Sequence, residues 1–73
     1  MLEKFKHPSD PRGLIHETYR MPGITAGECR TVFLDWALGI PAGDDMKEHV
    51  VAMLTAHSHG AVNHPMTAVL REA

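Results

Sequence analysis

The chain has 73 residues, which is enough for one hydrophobic core and too few for a second domain. Its seven basic residues are scattered and are outnumbered by nine acidic residues, so the composition argues against nucleic-acid binding. The N-terminus lacks the apolar core of a secretory signal, and the longest aliphatic run, Val50 to Leu54, is too short to span a bilayer. We therefore expect a cytoplasmic protein that binds neither nucleic acid nor membrane.

The small size of the core predicts marginal stability, because apolar burial in so short a chain barely offsets the conformational entropy lost on folding. Domains of this size commonly gain stability from disulfides, a structural metal or an oligomer interface. The single cysteine, Cys29, excludes an intramolecular disulfide. A metal site and self-association are the two sources that remain.

The N-terminal part of the chain predicts an arm followed by a short helix. Residues 1–8 have no hydrophobic period, so we expect a flexible arm there and a single helical domain over residues 9–73. Ser9-Asp10-Pro11 has the composition of a helix start, with a capping side chain followed by proline. The first helix is predicted over residues 10–20, and Pro22 ends it.

The second helix, predicted over residues 25–38, carries the clearest pattern. Thr25 and Glu28 have the spacing of a capping box, and Gly39 is expected to end the helix in the left-handed conformation. Leu34 and Leu38 widen its apolar face, so most of this helix is expected to be buried. The residues that form the face itself follow the helical period: Cys29, Val32, Phe33, Trp36 and Ala37.

Two further helices complete the predicted fold. The third, over residues 44–59, has Asp44 or Asp45 as its cap, and the fourth, over residues 64–72, follows a second proline-containing start. The whole pattern predicts an all-α protein, a small irregular bundle of about four short helices packed around the second one. Three apolar residues are expected to anchor the core or an interface: Phe33, Trp36 and Met53.

Histidines near the junction of the last two helices are candidate metal ligands. His57, His59 and His64 lie within eight residues, and three imidazoles suit zinc or a similar divalent ion. In a continuous helix, however, His57 and His59 would point to nearly opposite sides and could not share an ion. The alternative, which we favour, is structural: His59 complements the dipole at the helix end, His57 is half-buried and hydrogen-bonded, and His64 marks a helix boundary.

Two other polar residues are candidate sites. Cys29 lies in the first turns of a helix, where a thiol can become reactive, but it also lies on the apolar face, which favours a buried structural role. Asp35 lies away from the centre of that face and is expected to be exposed. Neither residue forms a catalytic motif with its neighbours in the sequence.

Three functional hypotheses follow. The favoured one is a module without catalytic activity that binds another protein or a second copy of itself, because a surplus apolar helix face is often covered by a partner. The first alternative is a small metal-binding protein that uses the three histidines. The second is an enzyme whose site is assembled at an oligomer interface.

Overall fold

The fold is a bundle of four helices in a computed structural model that describes residues 7–73. The all-α prediction is confirmed. Residues 1–6 of the predicted arm lie outside the described residues. The helix bounds in chain order are α1 (Leu14–Tyr19), α2 (Ala26–Leu38), α3 (Met46–His57) and α4 (Pro65–Glu72).

Helix α4 is the element that joins the bundle. It contacts α1, α2 and α3, whereas α2 packs mainly against α4 and α1, and α3 packs mainly against α4. Among residues 7–73, eight apolar side chains are buried, and they come from all four helices: Ile15, Cys29, Trp36, Val50, Met53, Met66, Val69 and Leu70. None of the four helices is of the length and apolarity needed to cross a membrane.

The start of α1 differs from the predicted position, although the predicted capping residue is used. Asp10 is buried, and its carboxylate accepts hydrogen bonds from the backbone N–H groups of Leu14 (2.9 Å), Ile15 (3.0 Å) and His16 (3.1 Å). The chain turns between Asp10 and the helix, passing through Gly13 with φ of 70°. Asp10 therefore caps the helix from four residues upstream, and α1 begins at Leu14.

The two ends of α2 show one prediction confirmed and one corrected. The capping box is present, since Glu28 donates its N–H to Thr25 Oγ1 (3.1 Å) and Thr25 donates its N–H to Glu28 Oε1 (2.9 Å). At the other end, the predicted left-handed conformation of Gly39 is wrong, because its φ is −86°. The helix ends there by a tighter turn, in which the Gly39 N–H donates to the carbonyl of Trp36 (3.0 Å).

Burial of α2 is lower than predicted. Within this helix only Cys29 and Trp36 are fully buried, and Phe33 is partly buried with its ring centroid 5.6 Å from that of Trp36. Leu34 is 63% exposed and Leu38 is 85% exposed. The expectation that most of the helix is buried is wrong because α1 and α4 cover one side of it and no described element covers the other.

Candidate functional site

The histidines predicted as metal ligands do not form one cluster. His57 ends α3 and stacks on the ring of Tyr19, with centroids 5.0 Å apart and an interplanar angle of 18°. His64 also contacts Tyr19, at 4.8 Å and 35°, whereas His59 is exposed in the turn after α3. The structure thus brings His57 and His64 to the same tyrosine and leaves His59 out.

Tyr19 is held in place between these elements by its hydroxyl group. Its Oη lies 2.7 Å from Thr67 Oγ1, a buried hydroxyl on α4, and burial raises the pKa of the Tyr19 phenol. The tyrosine therefore stays protonated. Its hydrogen bond to Thr67 joins α1 to α4, and its stacking on His57 joins α1 to α3.

His57 is half-buried, and burial lowers its pKa, an effect that nearby His16 and His7 add to and Asp10 opposes. The rings of His57 and His16 are 5.8 Å apart. The neutral imidazole is consequently the favoured form of His57 at neutral pH, and it packs as a flat aromatic ring against Tyr19.

His64 serves as the N-cap of α4, a role that matches the predicted helix boundary. Its Nδ1 accepts the backbone N–H of Met66 (3.1 Å), so the neutral ring carries its proton on Nε2. That Nε2 atom is buried and has no hydrogen-bond partner among residues 7–73. Within the same residues, no group of three or more His, Cys, Asp or Glu side chains is arranged to hold a metal ion. Zinc binding by His57, His59 and His64 stays a hypothesis drawn from the sequence.

Cys29 and Asp35 lie where the structural interpretation expected them. Cys29 is fully buried, and burial together with the nearby charge of Glu28 raises the pKa of its thiol. A protonated, inaccessible thiol is a poor nucleophile. Asp35 is exposed and lies 3.6 Å from Arg12, which also donates to the Asp35 carbonyl (3.2 Å).

Among residues 7–73, a hydrogen-bonded chain of serine, histidine and aspartate is an arrangement of catalytic type that sequence reasoning missed. Ser9 Oγ lies 2.8 Å from His49 Nδ1, and His49 Nε2 lies 2.9 Å from Asp44 Oδ2. Because an ionised carboxylate only accepts, His49 Nε2 donates to Asp44, and in the neutral imidazole Nδ1 accepts the Ser9 hydroxyl. The three residues come from the N-terminal loop, α3 and the loop before α3, and no sequence spacing predicts that they meet.

The surroundings of Ser9 show that this chain holds the loop in place. Ser9 is only 8% exposed, its carbonyl accepts the indole N–H of Trp36 (2.7 Å), and its own N–H donates to His7 Nδ1 (3.0 Å). The cavity described beside Ser9 has a volume of about 40 Å³, which is room for about one water molecule and not for an acyl substrate. The Ser9–His49–Asp44 chain fixes the N-terminal loop between α2 and α3.

The most distinctive surface of the molecule is the side of α2 that faces away from the core. Leu34 and Leu38 are each two residues from the buried Trp36, so they point roughly 160° away from it. We call this surface the outer face of α2 and define it by four residues that share one side of the helix: Gly27, Thr31, Leu34 and Leu38.

Charged side chains border the outer face on both edges. Arg30 lies on one edge, with its guanidinium 4.0 Å from Glu72 of α4, and Asp35 lies on the other edge, beside Arg12. On the Arg30 edge a cavity of about 200 Å³ extends the surface towards the end of α4 and is lined by Phe33, Val69 and Ala73 among others. An apolar stripe with a charged rim is the usual composition of a protein contact surface.

Comparisons with protein-family models, curated proteins and solved structures find no match to this chain. The function is therefore argued from the described geometry. The outer face of α2 carries Leu34 and Leu38, the two most exposed large apolar side chains among residues 7–73, whereas the histidine and serine clusters each join neighbouring elements.

Proposed function

We propose that the protein is a homo-oligomerising module without catalytic activity, and that it associates through the outer face of α2. The observation that carries this proposal is the exposure of Leu34 (63%) and Leu38 (85%) on the same helix that supplies Trp36 to the core. A helix that is apolar on two opposite sides is typical of an element buried on both sides.

The expected affinity follows from the size of this surface. Burying one leucine contributes roughly 1.5 to 3 kcal/mol, so the four leucines of a symmetric pair contribute about 6 to 12 kcal/mol. Association costs an estimated 4 to 15 kcal/mol in lost translational and rotational freedom. The most favourable combination of these ranges leaves about 8 kcal/mol, which corresponds to a dissociation constant of about 1 µM. We therefore expect a weak dimer with a dissociation constant in the micromolar range or above.

A second copy is the partner that the properties of this chain favour. A chain of 73 residues forms a small core, and covering Leu34 and Leu38 adds the apolar burial that such a core lacks. Closed symmetric dimers are the commonest oligomers, and they use one surface on both copies. Trp36 and Met53, which the sequence predicts as anchors of the core or of an interface, both lie in the core of the single chain. Leu34 and Leu38 are then the residues that we propose for the interface.

Sedimentation velocity on tag-free protein tests the proposal. Between about 1 µM and 1 mM, we expect the wild type to shift from monomer to dimer and Leu38→Glu to remain monomeric. Val62→Glu is the control, because Val62 is also an exposed apolar residue (61%, against 85% for Leu38) but lies in the loop before α4. Both variants should keep the helical circular dichroism spectrum of the wild type.

Two outcomes would contradict the proposal. The first is a wild type that stays monomeric over the whole concentration range. The second is a dimer that Leu38→Glu and Val62→Glu weaken equally, since that result would place the contact elsewhere.

A further inference from the structure

We propose that the two copies pack with their α2 helices parallel and side by side, with Arg30 of each copy facing the partner's Asp35. This inference rests on the proposed function, because it specifies how the outer face of α2 is covered. It goes further by fixing the direction, the register and the symmetry of the contact.

The spacing of the outer-face residues supports a parallel helix pair. Gly27, Thr31, Leu34 and Leu38 are separated by four, three and four residues, which is the alternation of the two core positions of a two-stranded coiled coil. In a parallel pair each of these residues meets its own equivalent at the same height along the axis. Leu34 then packs on the partner's Leu34, and Leu38 packs on the partner's Leu38.

The charges on the two edges select the direction. Arg30 directly precedes one core position and Asp35 directly follows the next, so they occupy the flanking positions whose side chains bridge two parallel helices. In a parallel pair, a residue on one edge meets the partner's opposite edge about five residues further along, which places Arg30 beside the partner's Asp35. The twofold axis repeats this pair on the other side.

In an antiparallel pair, each edge of the outer face would meet the same edge of the partner, not the opposite one. Arg30 would then approach the partner's Arg30, and Asp35 would approach the partner's Asp35, which is repulsive on both sides. The neighbouring charges agree with the parallel direction, because Glu72 lies beside Arg30 and Arg12 lies beside Asp35. Each edge of the parallel contact then holds two positive and two negative groups.

Gly27 fits the same arrangement. Its backbone angle φ is not positive, and a Cβ atom added to it would meet only Thr25 Oγ1, at 3.9 Å, so the single chain does not require glycine there. Glycine inside a helix costs roughly 0.5 to 1 kcal/mol relative to alanine. At a core position of the helix pair, the missing side chain lets the two N-terminal ends of α2 approach closely.

Cross-linking at position 38 tests the direction. In the parallel pair the two copies of residue 38 share one layer, so Leu38→Cys is expected to form an intermolecular disulfide readily on mild oxidation. In an antiparallel pair centred on the same stripe these positions would lie about 16 Å apart along the axis, too far for a disulfide. Val62→Cys is the control for random collision, and native Cys29 is buried in both proteins.

Charge exchange tests the register. Arg30→Glu and Asp35→Arg are each expected to raise the dimer dissociation constant about tenfold, because each turns two attractive pairs into repulsive ones. The double variant carrying both substitutions is expected to regain the wild-type dissociation constant. In an antiparallel dimer the equal edges stay like-charged in every variant, so neither single substitution would weaken dimerisation and the double variant would have no loss to restore.

The outcomes separate this inference from the proposed function. A wild-type dimer that Leu38→Glu abolishes, but in which Leu38→Cys cross-links no better than Val62→Cys, would overturn the parallel arrangement and leave self-association standing. Failure of the double charge variant to regain dimerisation would overturn the register in the same way. A wild type that never dimerises overturns both proposals together.

Discussion

The inner and outer faces of α2 both carry large apolar side chains, but their surroundings are very different. On the inner face, Trp36 is buried, and its indole N–H donates a hydrogen bond to the carbonyl of Ser9. On the outer face, Leu34 and Leu38 meet no element of residues 7–73 that buries them. The difference shows that the apolar pattern of a helix does not reveal which of its sides the rest of the chain covers.

The largest expected effect comes from the inner face. Trp36→Ala should lower the free energy of unfolding by roughly 3 to 5 kcal/mol, because it removes the largest core side chain and leaves the Ser9 carbonyl without its donor. That loss is sufficient to unfold so small a domain. Urea denaturation followed by circular dichroism measures it. A fully folded Trp36→Ala protein with wild-type stability would show that the inner face is not the core anchor.

The second largest loss of stability is expected from substitution of Asp10, which caps α1 and holds the N-terminal loop against it. Asp10→Ala leaves three N–H groups at the start of α1 without their acceptor and should cost roughly 1 to 3 kcal/mol. Asp45→Ala is the matched control, because Asp45 caps α3 with one bond, to the N–H of Lys47 (3.0 Å), and is exposed. Equal losses in the two variants, measured by urea denaturation, would contradict the assignment of a threefold cap to Asp10.

The histidine contact is expected to make stability depend on pH. Because burial lowers the pKa of His57 in the folded protein, the unfolded chain binds its proton more readily. The contribution of His57 is therefore complete above its ordinary pKa of about 6.5 and is lost as the pH falls from there towards the lower folded value. Thermal unfolding between about pH 7.5 and 5 should show a falling midpoint.

Substitution at two histidines isolates this effect from other groups that titrate over the same pH interval. His57→Phe keeps a flat ring against Tyr19 and should flatten the pH dependence, whereas His59→Gln should leave it unchanged because His59 is exposed. His16, His7 and Asp10 lie near His57 and act on it electrostatically. An unchanged slope in His57→Phe would contradict the assignment of the pH dependence to His57.

The sequence predicts the local features of this structure better than its tertiary features. The capping box of Thr25 and Glu28 depends on a spacing of three residues, and it was predicted correctly. Asp10 was identified as a cap, but its position was misplaced because the intervening turn through Gly13 leaves no periodic signal. The outer face was misjudged because a helix that is apolar on two sides does not reveal which side its own chain covers.

The polar contacts between distant segments could not be predicted in this way. His49 meets Ser9 forty positions away in the chain, and Tyr19 meets Thr67 at a still longer separation. Such contacts depend on how α3 and α4 are placed against the N-terminal part of the chain. The spacing of His57, His59 and His64 suggests a shared metal ion. In the structure, the rings of His57 and His64 instead contact Tyr19.

The smallest expected effect on the free energy of unfolding comes from the outer face of α2. Leu34→Gln, in dilute protein, should change the free energy of unfolding by less than about 0.5 kcal/mol, because a 63% exposed side chain contributes little to its own core. At high concentration the wild type should gain stability through association, so its unfolding midpoint should rise with concentration while that of Leu34→Gln stays constant. The two midpoints should converge on dilution. A constant difference at all concentrations would mean that Leu34 acts within one chain, and the two faces of α2 would then not differ in the way described above.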